Sequence, residues 1–228
     1  MAAVKSDTSI AEFQAFIKEV YGLANARFFS VSDMLTNIQR FLMRGIKGIR
    51  KGNNDKVVKN LIISSSWFMS LMNQYGINIE EEVWKRFPYR CSYCGTLPCS
   101  CKAAKTSERR QAVIDQTKQP KTLKDFQKML AEIYPPTGRT LEHAGIHLAE
   151  EMGELAEAFW VFQSTHADAD LANIVLEAAD LVSCYLGVFN SMNIDFADEL
   201  AKEFVSNCGS CKQCPCVCPF DRIAAFKS

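Results

Sequence analysis

An internal duplication limits the folds open to this sequence more than any other feature. Shifted by 117 residues against itself, the chain places Cys91, Cys94, Cys99 and Cys101 on Cys208, Cys211, Cys216 and Cys218 without a gap. At the same offset Asn73 meets Asn190, Ile77 meets Ile194, Glu82 meets Glu199, Lys85 meets Lys202 and Phe87 meets Phe204. Further back, FQAFIKEVY at residues 13–21 aligns with FQKMLAEIY at 126–134 after a four-residue shift in a loop. Two copies of one unit are therefore expected, each with the same succession of elements.

The elements read as helices. Residues 10–25 carry Phe13, Phe16, Ile17, Val20 and Tyr21 on one face, and Ser30 or Ser32 can cap a second helix that runs to about Ile49. Gly52, Asn53 and Asn54 make a turn; residues 56–75 and 79–87 follow as third and fourth helices, closed by Pro88 and the first cysteine cluster. In the second copy 126–134 is stopped by Pro135, Pro136 and Gly138, and Thr140 caps the next helix. Residues 163–170 read as a connection and 196–204 as the last helix. The expected fold is all-α: two tandem helical units forming a pseudo-symmetric bundle, each ending in a small Cys-rich metal-binding knuckle. The units are 1–101 and 121–228, joined by a polar, basic linker at 102–120.

The second copy carries acids where a core should be. On 147–159, Leu148, Met152, Leu155, Ala156 and Phe159 form one stripe with Glu151 and Glu154 at its border, while Glu150 and Glu157 turn further toward solvent. On 174–188, Ala178, Leu181, Tyr185 and Val188 form the apolar face and Glu177 and Asp180 run up its flank. Such carboxylates repel one another and resist desolvation unless a cation holds them, and clustered oxygen ligands suit Mg²⁺ or Mn²⁺. In the first copy Asp33, Met34, Asn37, Asn60 and Ile63 stand at those positions, followed by a basic run from Arg40 to Lys51, so no metal is expected there.

The pattern E-E-x-x-E, then 22 intervening residues, then E-x-x-D, with the run DLVSCYLGVFNSMNID at 180–195, resembles the MazG-like nucleotide pyrophosphohydrolases of the all-α NTP pyrophosphatase superfamily, over roughly residues 123–207. The resemblance implies hydrolysis of a nucleoside triphosphate to a monophosphate and pyrophosphate. It implies that Glu151, Glu154, Glu177 and Asp180 are Mg²⁺ ligands and that Glu150 supports or activates water. It further suggests Asn190 and Lys202 as phosphate or ribose contacts; Arg139 is a phosphate candidate and Trp160 a ring on which a base could stack. Active sites in this family form between paired helical units, so the N-terminal copy would serve as a built-in partner or the chain would form a homodimer. The competing class is a nucleotide-sensing or zinc-braced interaction protein of weak turnover.

Each cysteine cluster has C-x2-C-x4-C-x-C spacing, which suits tetrahedral Zn²⁺ in a structural role, with an iron–sulfur cluster or one site shared between copies as the competitors. Cys214 is a potential substitute ligand, and Cys184 reads as a buried small residue. His143 and His147 at i, i+4 could bind zinc with Glu150 or Glu151, but no HExxH order is present. No export signal is read at the start and no apolar run is read as long enough to span a bilayer, so a cytoplasmic protein without membrane contact is expected. The net charge is zero, with 17 Lys/Arg against 10 Asp/Glu in residues 1–117 and 9 against 16 in the remainder, and no nucleic-acid partner is expected.

Overall fold

The computed structural model describes residues 3–103 and 113–224; the middle of the expected linker, 104–112, lies outside the described residues. The elements are α1 (Ile10–Phe28), α2 (Val31–Arg50), α3 (Asn54–Tyr75), α4 (Ile79–Arg86), α5 (Leu123–Ile133), α6 (Leu141–Thr165), α7 (Asp168–Met192), α8 (Phe196–Glu203) and the short α9 (Phe220–Ala224). Gln116–Lys118 forms one 3₁₀ turn, and there is no strand among the described residues.

Local chemistry explains where these helices begin. Ser9 with Glu12, Ser30 with Asp33 and Thr122 with Asp125 form capping boxes in which each side chain answers the other's backbone N–H. Thr140 accepts from the His143 N–H to start α6. The expected connection at 163–170 shrinks to His166 and Ala167, because α6 runs to Thr165 and α7 begins at Asp168. His166 ends α6 in the left-handed region at φ 54°, and Asp168 and Asp170 are first-turn acids, which the helix dipole favours. Their polarity marked a helix start rather than a loop.

The chain divides into two compact units, Met1–Asn78 with Ala197–Ser228, and Ile79–Phe196. This is a different division from the two repeat copies. Each unit holds the three leading helices of one copy, and the cysteine cluster that belongs to it comes from the other copy.

In the first unit Phe13, Phe16, Ile17, Ile38, Leu42, Leu61 and Phe68 are buried. A Cβ on Gly45 would lie 2.7 Å from Leu61 Cδ2, so that glycine lets α2 approach α3. Phe204 closes this core, its ring 5.7 Å from Phe13 and 6.1 Å from Phe16. In the second unit Leu148, Met152, Leu155 and Phe159 of α6 are buried, as are Ile174, Ala178, Leu181, Tyr185 and Phe189 of α7. The α4 helix also packs on α7, with Val83 and Trp84 buried.

A polar lock recurs in both units. Gln127 Nε2 donates to Asn190 Oδ1 at 3.0 Å and to the Ile194 carbonyl at 2.8 Å, and Gln127 Oε1 accepts from the Phe196 N–H at 2.9 Å. Gln14 Nε2 donates likewise to Asn73 Oδ1 at 3.2 Å and to the Ile77 carbonyl at 2.7 Å. The pairs Asn73/Asn190 and Ile77/Ile194, which match at the offset of 117 residues, are thus held by the same hydrogen bonds.

One expectation requires correction. The α7 helix, 25 residues long, is apolar enough to cross a bilayer by length and composition. Half of the relevant window is buried, and the helix carries Glu177 and Asp180, as a core helix can when its surface is covered by protein.

Candidate metal centre

Glu151 on α6 and Glu177 and Asp180 on α7 each bring a carboxylate oxygen to within 4.8 Å of the others. The buried stripes of the two helices pack against each other, and the acids flank that seam. Glu151 Oε2 is enclosed and has no hydrogen-bond partner among the described residues. Burial, followed by the charges of Asp180, Glu154 and Glu177, pushes the Glu151 carboxyl up to about 7, against the pull of Arg86. Glu154 and Glu150 are exposed, and Glu154 stands outside the close group while still acting on Glu151 through its charge.

Arg86, near the end of α4, reaches this group. Its Nε donates to Asp180 Oδ1 at 3.0 Å and its Nη2 to Asp180 Oδ2, a two-pronged pair whose side chains are only 8% and 14% exposed. The guanidinium lowers the negative charge of the centre without filling the gap at Glu151 Oε2. Nothing in the periodicity of α4 marked Arg86. The available signal was charge reversal in the repeat: Lys85 and Phe87 match Lys202 and Phe204, yet Glu203 stands where Arg86 would recur.

The acids also adjoin a sulfur and an imidazole. His147 Nδ1 lies 3.2 Å from Cys184 Sγ, and these two with Glu151 form a second close group. Cys184 is buried as expected. Its thiol is pushed upward by burial and by the Glu151 charge, while Arg139 opposes the shift. The Arg139 guanidinium lies against α7, with Nη1 3.6 Å from where a Cβ on Gly187 would be. Of the other expected contacts, Trp160 on α6 is 74% exposed and Asn190 is engaged with Gln127. Lys202 belongs to the other compact unit, where it pairs with Glu199 at 2.6 Å.

The corresponding place in the first unit has different chemistry. A cavity of about 340 Å³ there is lined by Asn37, Ile63, Trp67, Glu203 and the guanidinium-bearing Arg40 and Arg222, among others. Asn60 is buried and donates to the Lys56 carbonyl at 2.7 Å. No cluster of oxygen ligands remains at these positions.

Both cysteine groups gather as the spacing predicts. The sulfurs of Cys91, Cys94, Cys99 and Cys101 lie within 4.8 Å of one another, as do those of Cys208, Cys211, Cys216 and Cys218. No disulfide joins them. Each could hold a metal such as zinc in a closed four-sulfur site. Equivalent backbone bonds shape them: the Cys91 N–H donates to the Thr96 carbonyl at 3.0 Å and the Cys208 N–H to the Gln213 carbonyl at 3.0 Å. Burial raises the Cys94 thiol, but bonds from the Thr96 hydroxyl and the Ser100 N–H outweigh it and bring it down to about 5. Cys214 lies outside the group, with its sulfur 3.6 Å from Glu19 Oε1.

Within its own compact unit, one cluster docks on the end of α5 and the other midway along α1. The Cys99 N–H donates to the Ile133 carbonyl at 2.8 Å, and the Cys216 N–H to the Val20 carbonyl at 2.7 Å. Tyr134 Oη lies 3.5 Å from Cys91 Sγ, and Tyr21 Oη accepts from the Gly209 N–H at 3.5 Å. The bond to Ile133 satisfies a carbonyl that the end of α5 leaves without an internal partner, whereas Val20 lies within α1.

Comparison with family models, curated proteins and solved structures finds no match to this chain.

Proposed function

We propose that the protein is a Mg²⁺-dependent nucleoside triphosphate pyrophosphohydrolase that yields a nucleoside monophosphate and pyrophosphate. In this reading the chain comprises two MazG-like copies related by a pseudo-symmetric duplication. The second copy carries the chemistry, and the two Cys₄ groups hold structural Zn²⁺ in a reducing cytoplasm. The observation that carries it is the convergence of Glu151, Glu177 and Asp180 with an enclosed, unpartnered oxygen at Glu151 Oε2. A hard divalent cation fits that donor set, because carboxylate oxygens this close are costly without one.

Glu151, Glu177 and Asp180 would hold the ion, with Glu154 at the solvent edge. When bound, Mg²⁺ neutralises phosphate oxygens and orients a water toward the α-phosphorus. The remaining work falls to side chains of this chain. Glu150 lies one residue before Glu151 on the exposed face, where its carboxylate can take a proton from water. Arg86 holds Asp180 in place, Arg139 supplies a guanidinium for a phosphate, and Trp160 a solvent-facing ring for a base.

The pairing of Arg86 with Asp180 favours one second reading, a nucleotide sensor whose metal site is partly neutralised by its own arginine. One experiment separates the two. Purified protein is given a panel of ribo- and deoxyribonucleoside triphosphates with Mg²⁺, and products are analysed beside those of Glu151→Gln and Asp180→Asn. Monophosphate and pyrophosphate from the wild type, lost in both variants, support the hydrolase. Nucleotide binding without turnover supports the sensor.

A further inference from the structure

We propose that His147, Glu151 and Cys184 form a second metal site, for zinc or a similarly borderline-soft divalent ion, sharing Glu151 with the carboxylate group. His147 and Glu151 stand one helical turn apart on α6, and Cys184 faces them from α7. One nitrogen, one oxygen and one sulfur donor lie within 4.8 Å of one another, with the nitrogen and sulfur 3.2 Å apart. A tetrahedral zinc with bonds of about 2.0–2.3 Å places its ligand atoms about 3.5 Å from each other, so modest side-chain adjustment completes the geometry.

The donor types discriminate between ions. Imidazole and thiolate favour zinc and later first-row metals, whereas Mg²⁺ and Mn²⁺ take oxygen. The centre is thus graded from soft at Cys184 and His147 to hard at Glu177 and Asp180, with Glu151 between. A thiol–imidazole hydrogen bond alone would account for His147 and Cys184, but not for the Glu151 carboxylate oxygen that closes on both of them. A cation held among them gives all three donors a common partner. His147 is exposed, so a fourth position can open to solvent, as in three-ligand zinc sites that bind water or substrate.

The repeat offers an internal control. At the offset of 117 residues the first copy has Ser30, Met34 and Trp67 in place of His147, Glu151 and Cys184. All three ligands are missing from the copy that also lacks Glu177 and Asp180.

The test is a zinc count that involves no nucleotide. Full-length protein is equilibrated with Zn²⁺ in excess Mg²⁺, freed of loose metal by gel filtration, and its zinc measured by elemental mass spectrometry. His147→Gln and Cys184→Ala should each lose about one equivalent per chain relative to wild type, while Glu177→Gln keeps the wild-type count. His147 is on the surface, so its variant remains informative if removal of the buried Cys184 side chain impairs folding. A wild-type zinc count in His147→Gln would overturn the proposal. Loss of the same equivalent in Glu177→Gln would also overturn it, because the ion would then belong to the carboxylates. Failure of nucleotide hydrolysis has no bearing on this count, so the two proposals fail separately.

Discussion

Replacing Arg86 by Gln should destabilise the protein strongly at pH 8 and much less at pH 5. Arg86 donates to both oxygens of Asp180 from a position where the two side chains are 8% and 14% exposed. Removing one partner of such a pair leaves an uncompensated buried charge, worth about 3–5 kcal/mol. Here the stranded carboxylate would also face Glu151 and Glu177 within 4.8 Å. Acid relieves part of this cost, since the Glu151 carboxyl, held up to about 7 first by burial and then by its acidic neighbours, is protonated at pH 5. Urea unfolding followed by circular dichroism, in buffer without Mg²⁺, measures both values. Addition of Mg²⁺ should recover more stability in the variant than in the wild type, because the ion replaces the missing positive charge. A loss below about 1 kcal/mol at pH 8, the size expected of an exposed pair, would refute the argument. Equal losses at the two pH values would refute it as well.

Glu151 itself makes stability pH-dependent. Its folded carboxyl titrates about 7 against an ordinary value of 4.5, so in Mg²⁺-free buffer its contribution is fully present below pH 4.5 and lost as pH rises through 7. Glu151→Gln should therefore leave stability at pH 5 nearly unchanged and raise it at pH 8 by about 1–2 kcal/mol after allowance for solvent screening, as read from urea midpoints. Gln127→Ala strands Asn190 Oδ1, the Ile194 carbonyl and the Phe196 N–H, and should cost about 2–4 kcal/mol in the same assay. Gly45→Ala forces a Cβ to within 2.7 Å of Leu61 Cδ2 and should cost about 1–3 kcal/mol, seen as a lower melting temperature.

The all-helical architecture was legible because its signals are local. Apolar residues at helical spacing announce the longer helices though not α9, and Ser30 or Ser32 and Thr140 read as caps because capping needs only a side chain and a backbone N–H three residues away. Glu151, Glu177 and Asp180 stood out because acids interrupted two otherwise apolar faces. The 163–170 segment reads as a connection for the same local reason: Asp168 and Asp170 suit a loop or a helix start equally well, and only the continuation of α7 distinguishes them. Arg86 could not be assigned, since its partner Asp180 lies 94 residues away. The neighbourhood of Cys184 was likewise invisible, because His147 reaches it from another helix.

The sequence by itself determined that the chain is helical, that four cysteines at metal-ligand spacing recur at an offset of 117 residues, and that only residues 147–180 carry a close set of acids. Tertiary structure decided which copy's helices each ending joins. The Cys99 N–H finds Ile133 and the Cys216 N–H finds Val20, so each cluster completes a unit built from the other copy's leading helices. A duplicated chain leaves that choice open. Matched positions such as Phe87 and Phe204, Gln14 and Gln127, and Asn73 and Asn190 carry the same side chains, so docking at home and docking by exchange satisfy much of the same local pattern. What separates them is non-local: how the connecting segments route, and interactions that differ between the copies, such as the charge that Arg86 brings to Asp180 and Glu203 could not.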